Sequence, residues 1–387
     1  MSEHAEQVAE QNAIQNVGPH AGQNGGQNPG QNNAGQNGGP QPGQPAGQHP
    51  DGRTAAVAPL DGDRRYDVVV IGGGAAGLSG ALTLGRAWRS VLVIDGGEPR
   101  NAPADGIHAY LGREGSPPGE LLADGREEVR AYGGEIRRGH VATVERDDDG
   151  LTVRLADGGA VRGRRLLVAT GLVDELPEVP GLADLWGTDV LHCPYCHGWE
   201  VRDRPIGVLG TGPLAAHQAL LWRQWSQDVT LFLHTGPEPS DDEYEQLAAR
   251  GIAVVDGEVT ALEQEGGRLS GVRLATGTRL ACQALAVAPR FTARAGFLTG
   301  LGLEPVEQEM AGTVIGSYVE ADATGRTAVP GVWVAGNVAN ILEQVIGSAT
   351  AGVRAAAAIN ADLIAEDTRH AVAARRADGG VSSQAVR

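Results

Sequence analysis

The apolar positions of the chain fall into blocks, and the first block is nearly empty. Residues 1–63 repeat the triplet Gly-Gln-Asn from Gly22, Gly26, Gly30 and Gly35, with Pro29, Pro40, Pro42, Pro45 and Pro50 between them. So little apolar surface cannot offset the entropy of ordering, so this stretch is expected to be a disordered, solubilising tail, with Gln/Asn-driven self-association as the other reading. From Tyr66 the pattern changes. YDVVVI (66–71) is a short unbroken apolar run, as in a buried strand; GGGAAG follows, then a helical stretch from Leu78 to Trp88 and a second strand, SVLVID (90–95). His140 to Gly171 predicts three short strands, broken at 147–150 and 157–159 and ending in LLVATG.

After a linker, 178–189, the plan repeats. PIGVL (205–209) is a strand, Gly210, Gly212 and Ala215 form a GxGxxA turn, 214–226 reads as a helix and 228–233 as a strand; a second meander, 252–287, ends in LAVAPR. The last apolar block, 329–363, predicts a strand GVWVAGN entering an Ala-rich helix. One strand and one helix cannot make a core alone, so they are assigned back to the first unit. The expected fold class is α/β, with two Rossmann-like dinucleotide-binding domains, the second inserted in the first. The boundaries follow as a tail at 1–63, first domain 64–178, inserted domain 179–288, the rest of the first domain 289–365, and a frayed polar tail 366–387.

The first glycine turn carries chemistry. Gly72, Gly74 and Gly77 form GxGxxG between strand and helix, and Asp95 ends the next strand 18 residues beyond Gly77. The glycines admit a pyrophosphate to the backbone at a helix N-terminus, and the acid is placed for an adenosine ribose.

Charge narrows the partners. The net charge is −17 and the pI near 5.0, which argues against nucleic acid or an anionic membrane. All 31 cationic residues are Arg, so lysine catalysis is excluded. With no apolar run near the roughly 18 residues of a spanning helix and no visible signal peptide, a cytoplasmic location is expected.

The stretch HCPYCHGWE (192–200) is the chemical centre of the chain. Cys193 and Cys196 are spaced to cycle between dithiol and disulfide, and the adjoining His197 can take the proton that thiol chemistry sheds. Zinc would need more ligands than the solitary Cys282 supplies, c-type haem goes with export, and cytosolic chains rarely keep an inert disulfide. A redox-active pair remains.

The motifs at 72–77, 169–171, 193–196 and 336–337, in this order, resemble the low-molecular-weight thioredoxin reductases over about residues 65–365. The resemblance implies a homodimer whose first domain binds FAD and whose insert is of the NAD(P) type. It implies that Cys196 faces the flavin and that Cys193 exchanges with substrate. It further implies FAD contacts from Gly72, Gly74, Gly77, Asp95, Thr170, Gly171, Gly336 and the Gln344-Val345 step. Asn101 is a further contact by analogy.

Three departures matter. His197 stands where those reductases carry Asp, and Asn337 where they carry the Asp of a Gly-Asp pair, though an amide can still serve the ribityl chain. The insert has Pro213 in its turn and HTGPEPSDDE after its second strand, with no Arg and with Asp241, Asp242 and Glu243 in a row. Like charges oppose a phosphate. CPYCH with the missing arginines looks like the thioredoxin-reductase-like dithiol oxidases that close disulfides in natural products such as gliotoxin and holomycin. That resemblance implies a small-molecule dithiol and O2 as partners, H2O2 as product and His197 as the base. The alternatives are an NADPH-dependent thioredoxin or disulfide reductase, and a non-catalytic thiol-sensing flavoprotein. Cys282 is expected in the core, and Tyr195, Trp199, Trp222 and Trp225 in packing, with a substrate platform as the other reading. His192 is expected either to line the site or to sit in a loop; Arg100 and His108 are candidates for FAD or substrate contact.

Overall fold

The computed structural model describes residues 64–147 and 150–377. The Gly-Gln-Asn tail therefore lies outside the described residues, as do the last ten.

The first strand, β1 (Arg65–Ile71), is followed by helix α1 (Ala75–Arg86), β2 (Val91–Asp95), helix α2 (Pro118–Ala131), β3 (Glu135–Arg138) and the strands β4 (Val141–Asp147), β5 (Gly150–Leu155) and β6 (Ala160–Val168). They form one sheet in the order β3-β2-β1-β6-β5-β4, parallel from β3 to β6 and antiparallel through β5 and β4. Alternation along β1 explains why its run is apolar throughout. Val69 and Ile71 face one core with Val144, Val153 and Leu298, while Val68 and Val70 face the other with Leu78, Ala81 and Leu84 of α1. A strand buried on both faces has no polar side to show.

From β6 the chain passes through β7 (Leu172–Glu175) into β8 (Val190–Leu191), the short helix α3 (Pro194–His197), β9 (Ile206–Leu209), helix α4 (Ala215–Trp222), β10 (Val229–Phe232), helix α5 (Asp241–Ala249) and β11 (Ala253–Val255). The meander β12 (Val259–Glu265), β13 (Arg268–Leu274) and β14 (Arg279–Ala281) then precedes β15 (Ala284–Ala286). A second parallel sheet runs β11-β10-β9-β15-β8, and the meander is a separate three-stranded sheet. The return is made by β16 (Arg290–Ala293), which lies antiparallel to β7 with Arg290 opposite Glu175 and Ala293 opposite Leu172. Exit and return are thus side by side. With β17 (Val306–Met310) and β18 (Thr313–Tyr318) they make a sheet ordered β17-β18-β16-β7.

The chain ends on β19 (Val332–Val334), paired in parallel with β6, and helix α6 (Val345–Ala377), packed on α1. The last strand and helix do rejoin the first sheet. The helix does not fray at Glu366; it continues to Ala377. Arginines distant in sequence hold its polar turns. Arg165 binds Asp362 at 2.6 Å and Glu366 at 2.5 Å, and Arg89 binds Asp367 at 2.8 Å.

Candidate active site

The two thiols sit at the start of α3. Cys193 is the residue before its first turn, and Pro194, whose missing N–H costs nothing there, opens it. The Cys193 carbonyl accepts from the N–H groups of Cys196 at 3.2 Å and His197 at 3.1 Å. Gly198 closes the turn because a Cβ there would lie 2.5 Å from the Pro194 carbonyl oxygen and 2.8 Å from the Trp225 ring. Both sulfurs are half-buried free thiols. Hydrogen bonding from the Cys196 thiol, joined by the N–H groups of Cys196 and Tyr195 and the Gln344 amide, brings Cys193 down to about 7 against the pull of burial. That same hydrogen bond, burial and the neighbouring thiolate push Cys196 well above the ordinary thiol range. The reduced pair is therefore a Cys193 thiolate beside a Cys196 thiol. Nε2 of Gln344, the residue before α6, lies 3.9 Å from the Cys196 Sγ.

Burial, and then the neighbouring His108, hold His197 below the usual histidine range, so it is a neutral base at pH 7. The His108 and His197 rings meet edge to face, 6.5 Å between centroids. His192 plays a different part. Its Nδ1 lies 3.1 Å from the Val287 carbonyl oxygen, its ring stacks edge-on against Phe291 at 5.0 Å, and burial keeps it neutral. It pins α3 to the strand that returns to the first sheet. Arg100 grips Asp174 with two hydrogen bonds, at 2.7 and 2.6 Å, and reaches the Asn337 Oδ1 at 3.3 Å.

The first glycine turn fits FAD. Helix α1 starts with no side-chain cap and no acidic residue in its first turn, which leaves its first N–H groups for phosphate oxygens. A Cβ on Gly74 would meet open space, whereas one on Gly77 would lie 1.9 Å from the Gly72 carbonyl oxygen. Asp95 accepts from the Gly73 and Gly97 N–H groups at 3.2 and 3.1 Å, so its carboxylate is fixed at the rim of the turn. Gly336, at φ +75, packs its Cα against the first turn of α1, where a Cβ would be 3.0 Å from that of Ala76. The Asn337 amide is turned inward, donating to the carbonyl oxygens of Asn340 at 3.1 Å and Glu343 at 2.9 Å. Thr170 donates to the Arg294 carbonyl at 2.6 Å, next to Gly171 at φ +70. The Asn101 carbonyl accepts from Ala104 in the turn after β2.

The second glycine turn is differently equipped. Pro213 offers no N–H, and β10 runs out into His234, whose Nδ1 accepts from the Val259 N–H at 3.1 Å. The acids after it are used locally. Asp241, Asp242 and Glu243 form the first turn of α5, where Ser240 and Glu243 make a reciprocal capping box. A cavity of about 470 Å³ at the strand ends is lined by Thr211, His234 and Thr235 together with Glu175, Glu178, Glu258 and Arg290. Carboxylates outnumber the one cation there, and that cation lies 3.3 Å from Glu307.

Of the aromatic residues, Trp222 is buried, while Tyr195 and Trp199 are exposed, Tyr195 packed edge to face on Trp225 at 5.6 Å and Trp199 covered by the Arg202 guanidinium. Cys282 is buried in the core, its thiol pushed up to about 12 by desolvation. The sequence reading misses the carboxylates around His108. Glu114 Oε1 is 2.7 Å from its Nδ1, and Glu200 Oε1 is 3.6 Å from its Nε2. Glu200 was in view within the CxxC stretch, but nothing local marks Glu114.

A dinucleotide turn, a reduced cysteine pair and a second dinucleotide-type sheet define a flavin-dependent disulfide oxidoreductase. Residues 66–356 match the pyridine nucleotide-disulphide oxidoreductase family, and the chain belongs to it. It is a thioredoxin reductase-like flavoprotein that uses FAD. Thioredoxin reductase sirT of Leptosphaeria maculans is 31% identical over 320 residues, 78% of this chain and 95% of its own. Thioredoxin reductase tcpT of Claviceps purpurea is 30% identical over 321 residues, 77% of this chain and 95% of its own. Among solved structures, HlmI is 48% identical with a TM-score of 0.75, over 81% of this chain and 97% of its own. An oxidoreductase from Agrobacterium tumefaciens is 34% identical with a TM-score of 0.73, over 78% of this chain and 99% of its own.

Proposed function

We propose that this enzyme is a dithiol oxidase: it closes an intramolecular disulfide in a small-molecule dithiol, with O2 as electron acceptor and H2O2 as product. The observation that carries the reading is a contrast within one chain. An intact CxxCH site lies against Gln344, while the cavity at the nucleotide turn of the insert is lined by Glu175, Glu178 and Glu258 against a single arginine, Arg290. A thioredoxin reductase drawing on NADPH is the competing reading, favoured by the names of the relatives and opposed by that acidic cavity.

The cycle starts from the Cys193–Cys196 disulfide. His197 takes the proton of one substrate thiol, and the resulting thiolate attacks the Cys193 Sγ. The bond between the two cysteines breaks, and the Cys196 sulfur leaves with the electron pair and takes up that proton. The second substrate thiol, deprotonated in turn by His197, attacks the substrate sulfur of the mixed disulfide and releases Cys193 as a thiolate. Two electrons now rest on the cysteine pair, one proton on Cys196 and one on His197. This end state matches the low Cys193 and high Cys196 values. Bound FAD supplies the electron acceptor that empties the pair and delivers the electrons to oxygen. The residues assigned to hold it are Gly72, Gly74, Gly77, Asp95, Asn101, Thr170, Gly171, Gly336, Asn337, Gln344 and Val345, with Asn337 acting through its backbone because its amide is engaged.

The division into 64–178 plus 289–365 for FAD and 179–288 for the insert belongs to the same proposal, as does action in the cytoplasm, where a substrate stays reduced until the enzyme meets it. A second copy is the proposed cover for the exposed face of α6 that carries Ile346, Val353 and Ile364. The test is oxygen uptake by the purified holoenzyme with a reduced dithiol. Peroxide should form in step with substrate disulfide, and Cys193→Ser should abolish both while keeping its flavin. Turnover without peroxide would overturn the reading.

A further inference from the structure

The cycle leaves a second proton on half-buried His197, shared with the Cys193 thiolate, and it must be shed before the cysteines can close their disulfide again. We propose that His108, steered by Glu114, is the outlet by which His197 returns this proton to solvent; the inference rests on the dithiol-oxidase reading.

The loop that carries His108 is built to aim it. Ile107 is buried and bridges to Ser116, with Ile107 N–H to Ser116 carbonyl at 2.9 Å and Gly115 N–H to Ile107 carbonyl at 2.8 Å. The next residue, Ala109, sits at φ +58, a left-handed conformation that is strained for a residue carrying a side chain. One carboxylate holds it there. Glu114 accepts from the Ala109 N–H at 2.9 Å through Oε2 and lies 2.7 Å from the His108 Nδ1 through Oε1. A carboxylate on Nδ1 fixes the proton there and leaves Nε2 as the acceptor. Gly106 leaves room for this ring, since a Cβ at that position would be 3.2 Å from Nε2.

The groups form a graded path. The His108 side chain is 19% exposed and that of Glu114 is 65% exposed. His197, half-buried like His108, faces it edge to face with 6.5 Å between ring centroids, a separation over which a single water can relay a proton. Carboxylates line this path: Asp105 and Glu200 favour the protonated form of His197, and Glu114 and Glu200 flank the His108 ring. The proton enters at Nε2 of His108, the Nδ1 proton leaves by way of Glu114, and the carboxylate hands it to water. No electrons move, and one proton enters for each that leaves. His108 touches neither sulfur, so it acts through His197.

The test uses the holoenzyme and anaerobic reduction by dithiothreitol, followed by flavin absorbance. His108→Gln should slow reduction roughly 10- to 100-fold in weak buffer, and added imidazole should restore most of the rate. Glu114→Gln should show a smaller loss with the same rescue. In histidine-labelled enzyme, His108→Gln should also move the His197 titration midpoint upward, because the charge of His108 opposes that of His197. A wild-type flavin that dithiothreitol fails to bleach would overturn the oxidase reading and the outlet together. A bleached wild type matched by His108→Gln at every imidazole concentration, a loss that imidazole does not restore, or an unmoved His197 midpoint would overturn the outlet alone.

Discussion

Replacing Cys196 by Ala in the reduced enzyme should make Cys193 a poorer nucleophile at neutral pH, because the Cys196 thiol is the main support of the Cys193 thiolate. Cys193 stands near 7 against an ordinary 9.0, so about half of it is thiolate at pH 7. The N–H groups of Cys196 and Tyr195 and the Gln344 amide survive the substitution, so the midpoint should recover most of the way, to about 8.5. The thiolate fraction at pH 7 then falls to about 3%, a roughly 16-fold loss, while the more basic thiolate reacts about fivefold faster at a Brønsted slope of about 0.45. The net expectation is a three- to fourfold slower reaction at pH 7, with a rate above wild type at pH 10. Iodoacetamide alkylation under reducing conditions, followed by mass spectrometry across pH 5–10, measures both. Cys282 does not interfere, being buried with its thiol pushed up to about 12. A wild-type midpoint at 8.5 or above, or one that Cys196→Ala leaves in place, would refute the shared-proton description of the pair.

Two other substitutions test the scaffold. Asp189 is 1% exposed and accepts from Arg268 at 2.8 and 2.5 Å and from the Leu269 N–H at 2.9 Å, so Asp189→Asn should cost about 1–3 kcal/mol in chemical denaturation at pH 7. Burial works against the Asp189 carboxylate, but Arg268 and Leu269 together carry its folded-state value below the unfolded one. Its contribution is therefore complete above about pH 5 and lost as pH falls through the folded value, so the gap between mutant and wild type should narrow as the pH is taken down; a gap that stays constant into strong acid would contradict the assignment. Gly77→Ala puts a Cβ 1.9 Å from the Gly72 carbonyl oxygen, and the purified protein should be folded by circular dichroism yet nearly colourless; full flavin content would show that the turn does not carry the cofactor.

The parts of the fold legible in the sequence are those written locally. The β1-turn-α1-β2 unit announces itself because a strand buried on both faces must be apolar throughout and the glycine spacing is fixed by close backbone approach, as at Gly77. The same holds for β9 and its turn, and for β19 leading into α6. The sheet made by β7, β16, β17 and β18 is not legible. Its edge strand VEQEM is polar and half exposed, and the β7–β16 pairing joins residues more than a hundred positions apart. Helix α2 buries only Pro118, Leu122 and Val129, too sparse a stripe to stand out. The end of α6 looks like a tail because its stability lies in Arg89, Arg164 and Arg165, none of them near it in the chain. At the site, CxxCH is visible as chemistry, but Glu114 is not, since only a strained loop turns it back onto His108.

The direction of electron flow is decided most directly by which reductant empties into the flavin. In an anaerobic titration of the holoenzyme, one equivalent of a reduced dithiol should bleach the flavin band, and a large excess of NADPH should leave it unchanged. Rapid bleaching by NADPH with no response to dithiols would contradict the account.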